Sequence, residues 1–208
     1  MAHVLDRVRL AARVDRVLVA TDDERIADAA RSAGGEVVMT SPLHRSGTDR
    51  VEEAVRALPA DIDRIINVQG DEPLVDPEAI DAVIGALDEP GADVATAMAP
   101  LAATEAHEPA RVKVVTDNAG RALYFSRAPI PHGGPWWLHV GLYAFRRDAL
   151  RRFALTPPTP LEAIERLEQL RLLETGVPIR VVPVARPSPS VDTPEDLAAL
   201  RALLGDTT

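Results

Sequence analysis

The chain has 208 residues, a formal net charge of −9 and no cysteine. The acidity excludes non-specific nucleic-acid binding, which needs a basic footprint, and the missing thiols exclude disulfides and thiolate metal sites. Charged residues interrupt every apolar stretch short of the ~18 residues of a membrane span, and Asp6, Arg7 and Arg9 break the opening pattern, unlike a secretory signal. The expectation is one cytoplasmic domain over residues 1–208, large enough to bury a core without staples.

Short β runs alternate with amphipathic segments. Residues 14–21 (VDRVLVAT) read as a strand and 23–33 as a helix entered through acidic residues. In ATDDERI, Thr21, Asp22 and Asp23 are either an N-cap with first-turn acids or ligand contacts. Residues 36–39 form a short strand, and 46–58 a loop leading into a capped helix. In SGTDR (46–50), small residues let the backbone approach a planar ligand beside Arg50; the alternative is a plain helix cap.

Residues 64–68 read as a buried strand that breaks into QGDEP. Gly70 lets the chain turn where a Cβ would be crowded, and Pro73 stops further pairing. Open α/β sheets bind ligands just beyond their strand carboxyl ends. Asp71 there, with no adjacent lysine, is a candidate for a hard cation such as Mg2+, or belongs to a solvated acidic turn.

A helix over 77–87 with proline in its first turn and a strand over 94–98 complete a β-α-β-α-β alternation. That order predicts a doubly wound, mostly parallel sheet. Residues 112–116, a DNAG turn, 121–125 and 139–145 suggest hairpins inserted in the middle. In SRAPIPH (126–132), Arg127 is either a guanidinium rigidly mounted to grip a carboxylate or a surface arginine.

A helix over 161–174, a strand over 179–184 and a helix over 194–204 close the chain. On the first of these, Glu168 falls inside an apolar stripe, either paired internally with Arg171 or facing a polar ligand. In VDTPED (191–196), Asp192 is explained by capping, or completes a metal site with Asp71. Lys113 is the only lysine among 23 basic residues, and the sequence leaves its role open.

In this order the strings HVLDRV, VDRVLVATDDERI, GGEVVMTSPLHRSGTDR, INVQGDEPLVDPEAI, VKVVTDNAGRALYFSRAPIPH, HVGLYAFRR, LEAIERLEQLR and VDTPEDL resemble the 3-deoxy-manno-octulosonate cytidylyltransferases, the CMP-Kdo synthetases of lipopolysaccharide synthesis. The resemblance implies a Rossmann-like, nucleotide-diphospho-sugar transferase-like fold. It implies that the anomeric hydroxyl of an acidic 3-deoxy sugar attacks the α-phosphate of CTP and pyrophosphate leaves. It also implies Mg2+ on Asp71 and Asp192, nucleotide contacts from Ser46, Gly47, Arg50 and Gln69, and a sugar pocket of Arg127, His139, Tyr143, Glu168 and Gln169. A homodimer is implied, with 112–145 as the expected dimerisation and sugar-binding subregion. No side chain need act as a nucleophile, because positioning and electrostatics supply most of such catalysis.

The chain also departs from the family pattern. The family's first strand and its PARxxSxRLPGKPL-like phosphate loop match nothing after Met1. They are expected in frame upstream, and without them an apolar slot and two unpaired strand edges are expected. For the 208 residues as written, little CMP-sugar synthesis and poor solubility are expected. Leu138 replaces a usually basic residue, and the 132–136 loop is short. Other readings are a transferase for a sialic acid or amino-Kdo, or a non-catalytic remnant that binds nucleotide or a partner. No GxGxxG follows the first strand, which argues against a dinucleotide oxidoreductase.

Overall fold

The computed structural model describes residues 1–44, 46–191 and 193–204. Helix α1 (Ala2–Arg9), not among the expected elements, buries Val4, Leu5 and Val8 along one stripe. Strand β1 (Leu18–Thr21) starts later than expected, because its parallel ladder with residues 36–39 begins at Leu18, opposite Glu36. Helix α2 (Glu24–Ser32) is capped by Asp23, β2 (Glu36–Met39) follows, and α3 (Gly47–Arg56) is capped by Ser46. After β3 (Arg64–Asn67), helix α4 (Pro77–Ala86) has an Asp76 cap and an N-terminal proline.

The long β4 (Val94–Leu101) leads to the expected hairpin of β5 (Lys113–Thr116) and β6 (Ala122–Ser126), and then to β7 (Trp136–Arg146). Helix α5 (Arg147–Leu155), absent from the expectation, docks through Arg147, which donates to the carbonyls of Val55 and Leu58 at the end of α3. The chain closes with α6 (Pro160–Glu165), α7 (Leu170–Glu174), β8 (Ile179–Pro183) and α8 (Pro194–Leu204).

The doubly wound α/β class is borne out. β4 and β8 pair in parallel, as do β1 and β2. β3 runs with β4 but is separated from it by β7, which pairs antiparallel to both. Alternation along the central strands divides the core in two. Ala95, Ala97 and Ala99 of β4, with Val140, Leu142 and Ala144 of β7, face α1 and α4. Their opposite neighbours Val94, Tyr143 and Phe145 pack with Phe153 of α5 and Leu170 of α7.

Among the described residues β1 pairs only with β2, and β3 only with β7. Between them lies a cavity of about 750 Å³ lined by Val4, Val17, Leu18, Ile65, Ile66 and Val68.

The single helix expected over 161–174 is two helices. Arg166 adopts a left-handed conformation (φ 55°) and ends α6. Arg127 stabilises that stop: Nε donates to the Glu165 carbonyl (2.8 Å) and a terminal nitrogen to the Arg166 carbonyl (3.3 Å). These carbonyls would otherwise accept bonds from the next helical turn.

Lys113 is fully buried and serves this same corner, with Nζ donating to the carbonyls of Arg127 (2.6 Å) and Glu108 (3.1 Å). Lys113→Met is expected to cost about 2–4 kcal/mol, because it leaves both carbonyls without that donor. Denaturant unfolding measures it, and a loss below about 1 kcal/mol would contradict the assignment.

Candidate functional site

The site lies where β3 ends, α3 begins and the α6–α7 link passes beneath them. One half is built on the α3 N-terminus and the 69–71 turn. A Cβ on Gly47 would make only ordinary van der Waals contact with Gln69 Oε1, at 3.8 Å. Gly47, Arg50, Gln69 and Gly70 all border the cavity between β1 and β3.

Ser46 is the helix cap, with Oγ accepting from the Asp49 amide at 3.2 Å. Its hydroxyl also acts to lower the pKa of Glu168, so capping is not its whole role. Arg50 pairs with Asp22 at 3.1 Å and donates to Thr40 Oγ1 at 2.7 Å, which ties the ATDDERI segment to α3. Asp23 is the cap of α2.

Asp71 is exposed, and among the described residues its carboxylate has no ion-pair or hydrogen-bond partner. Its carbonyl accepts from the Val191 amide at 2.9 Å, which anchors the C-terminal segment to this turn. Asp192, the next residue, lies outside the described residues. Among the described residues no three His, Cys, Asp or Glu side chains gather into a metal-ligating group. A hard, exposed carboxylate of this kind suits Mg2+, which binds through one or two carboxylates and fills its shell with phosphate and water oxygens.

Next to Asp71, burial first and the Asp71 charge second push Glu72 from 4.5 up to about 7. The folded state therefore holds a proton that the unfolded state has lost, and stability falls as pH rises from 4.5 to 7. Glu72→Gln removes this penalty. In metal-free buffer its stability advantage over wild type is expected to grow by about 3 kcal/mol between pH 4 and pH 8. Urea unfolding at the two pH values reads it, and a constant difference would contradict the burial.

The second half is a buried polar pocket. Glu168 Oε1 accepts from Thr48 Oγ1 at 2.6 Å, while Oε2 is buried with no partner. Burial raises the Glu168 pKa, opposed by the Thr48 and Ser46 hydroxyls. Gln169 Nε2 is likewise buried and unpartnered. Each is a buried polar atom without a partner, one an acceptor and one a donor, a costly state that a polar ligand relieves.

Of the two readings of Glu168, the internal pair with Arg171 does not form. Arg171 turns to Glu162 (2.8 Å from Nε) and stacks over the Phe153 ring, 4.2 Å from its centre. Tyr143 stacks between His139 and Phe145, with ring centres 5.4 and 5.9 Å away. Burial first and the Glu168 charge second raise its hydroxyl pKa well above normal, so it stays protonated. The His139 ring is packed deep in the site although the residue keeps some surface; burial pushes it down to about 3, and it is neutral at physiological pH. Its Nε2 lies 3.0 Å from Thr96 Oγ1.

His139 and Tyr143 thus lie together and the Glu168 charge acts on Tyr143, while Gln169 is buried with Nε2 unpartnered. Arg127 stands apart, its guanidinium engaged by the carbonyls of Pro109, Glu165 and Arg166. Thr48, Asn67 and Thr96 were missed. Thr48 lay inside the SGTDR string, but Asn67 and Thr96 sit in apolar strand runs where one small polar residue gives little signal. The whole arrangement offers hydrogen bonds to a polyhydroxylated ligand beside an open glycine-lined face and an exposed carboxylate.

Residues 1–179 match the family model described as Cytidylyltransferase. A 3-deoxy-manno-octulosonate cytidylyltransferase of Anaeromyxobacter sp. (strain Fw109-5) is 53% identical over 98% of this chain and 85% of its own length. One from Nitratidesulfovibrio vulgaris (strain DP4) is 50% identical over 97% of this chain and 84% of its own. A solved CMP:2-keto-3-deoxy-manno-octonic acid synthetase complexed with CTP has a TM-score of 0.92 at 42% identity, covering 99% of this chain and 87% of that one. A 4-diphosphocytidyl-2C-methyl-D-erythritol synthase from Anaerococcus prevotii shares the fold, with a TM-score of 0.65 at 15% identity.

Proposed function

Because the chain belongs to the 3-deoxy-manno-octulosonate cytidylyltransferase family, we propose that its two half-sites divide the two substrates, CTP and the acidic sugar, between them. The protein is a nucleotidyltransferase that forms CMP-Kdo and pyrophosphate from CTP and 3-deoxy-manno-octulosonate. The sugar's anomeric oxygen bonds to the α-phosphorus, the bond to the β-phosphate bridge breaks, and the hydroxyl proton is released. The observation that carries the assignment of the sugar is the pair of buried, unpartnered atoms Glu168 Oε2 and Gln169 Nε2. A sugar hydroxyl and an oxygen acceptor satisfy them in turn.

In this reading His139 and Tyr143 complete the sugar pocket, and Arg127 holds the α6–α7 link that presents Glu168 and Gln169. Ser46, Gly47, Arg50 and Gln69 receive the nucleotide. Mg2+ held by Asp71 and Asp192 would neutralise phosphate charge and align the leaving group. The protein's own part is to hold the two substrates in one orientation and surround the developing charge with fixed dipoles.

We also propose that the enzyme acts in the cytoplasm, in lipopolysaccharide synthesis. No helix among the described residues is long and apolar enough to cross a membrane. A homodimer through 112–145 is supported by the edge position of β6, where Leu123 is 61% exposed.

The test incubates the protein with CTP, Mg2+ and, separately, 3-deoxy-manno-octulosonate, its amino analogue and a sialic acid. Mass spectrometry of the end-point mixture is decisive even for slow turnover. CMP-octulosonate with equimolar pyrophosphate is expected. Product from the amino analogue or the sialic acid alone would reassign the substrate, and no product from any sugar would favour a binding role.

A further inference from the structure

β4 and β7 fall out of step at Thr96. Thr96 faces Tyr143, but the next residue, Ala97, faces Val140, so Gly141 and Leu142 bulge from the ladder. The fully buried Thr96 side chain fills the gap. Its Oγ1 lies 2.9 Å from the Leu142 carbonyl oxygen, 3.1 Å from that of Val140 and 3.0 Å from His139 Nε2.

A hydroxyl has one hydrogen, and carbonyl oxygens have none. If that hydrogen went to His139, Thr96 Oγ1 would face two carbonyl oxygens at 2.9 and 3.1 Å with no hydrogen between them. In a buried site such lone-pair contacts are costly. If the hydroxyl donates to the carbonyls instead, its own lone pair is left facing Nε2. A neutral imidazole carries one N–H, which must then sit on Nε2. The edge of Phe125, 4.9 Å away between ring centres, and the Tyr143 ring fix the imidazole plane.

We infer that Thr96 is a positioning residue for His139: it holds the ring as the Nε2–H tautomer, leaving Nδ1 as an acceptor for a hydroxyl of the bound sugar acid. The last clause rests on the function proposed above; the tautomer does not. Together with Glu168 Oε2, Nδ1 gives the pocket two acceptors, so it selects ligands that present hydroxyl donors. Analogues with a methoxy or deoxy group at the matching position are disfavoured.

The test is the 15N spectrum of histidine-labelled protein without ligand, with the His139 signals assigned by His139→Gln. Wild type is expected to show a pyridine-type Nδ1 and a protonated Nε2. The reverse tautomer, or a rapid mixture of the two, would overturn the inference. In Thr96→Val the preference is expected to collapse and the calorimetric affinity for the octulosonate to fall about tenfold, with CTP affinity unchanged. Thr96→Ser is expected to restore both. An unaltered tautomer in Thr96→Val would overturn the role of Thr96. If that variant does not fold, the wild-type and Thr96→Ser spectra still decide. If wild type shows the expected tautomer but binds no sugar acid, the functional reading fails and the tautomer assignment stands.

Discussion

Asp71→Asn is expected to lower CMP-sugar formation about a thousandfold at saturating CTP, a loss matching the several kcal/mol of charge stabilisation that a bound cation supplies. Its stability is expected to stay within about 0.5 kcal/mol of wild type. The physical ground is the exposure of this carboxylate and its lack of any partner among the described residues. Removing its charge breaks no contact in the fold, and even relieves the repulsion that helps raise the pKa of Glu72. An effect confined to turnover is what a metal ligand produces. Chelating Mg2+ from wild type is expected to give a similar loss, and the variant is expected to respond little to the chelator. Turnover within tenfold of wild type, or a large fall in melting temperature, would contradict the role.

Glu168→Gln is expected to lower kcat/KM for the sugar by about 10²–10³ while raising the melting temperature at neutral pH. The two effects share one cause. The substituted side chain would still accept from Thr48 through its amide oxygen, but an NH2 donor would replace the unpartnered Oε2 acceptor. A ligand hydroxyl would then meet a donor instead of an acceptor.

The stability gain follows from the raised pKa of Glu168. Its folded-state pKa lies above the ordinary 4.5, so stability is lost as pH climbs from 4.5 through the folded value. A neutral amide does not carry that penalty. CTP affinity measured by calorimetry is expected to be unchanged. A variant that is less stable and less active together would mark Glu168 as a packing residue and contradict its assignment to the ligand.

Much of this architecture was legible before any coordinates. The strand at 36–39 stood out between Gly34-Gly35 and the polar Thr40-Ser41, and α8 through its Thr193-Pro194 opening. What could not be read was decided by partners distant in the chain. LEAIERLEQLR contains no glycine or proline, so nothing local marks the break at Arg166. The break is held by Arg127, whose guanidinium arrives from 39 residues away to take the carbonyls that a continuing helix would use. Once α6 stops there, Arg171 reaches Glu162 and Glu168 is left for Thr48. Of the two readings the sequence left open for Glu168, the internal pair with Arg171 is the one that the fold does not form.

The β7 bulge has a similar origin. Gly141 was its only local sign, and the pairing shift opposite Thr96 that gives His139 its neighbour is a property of two strands together. Arg127 itself was noticed for its rigid, proline-flanked mounting; the role visible in the fold is to secure the α6–α7 link.

Central to the proposed function is that the pocket around Glu168, Gln169, His139 and Tyr143 receives the acidic sugar. A crystal structure of the protein with 3-deoxy-manno-octulosonate bound tests this most directly. The predicted result is a sugar hydroxyl donating to Glu168 Oε2, an oxygen accepting from Gln169 Nε2, and the ring lying against His139 and Tyr143. Sugar bound only elsewhere, such as in the apolar cavity between β1 and β3, with Glu168 Oε2 and Gln169 Nε2 still unpartnered, would contradict it.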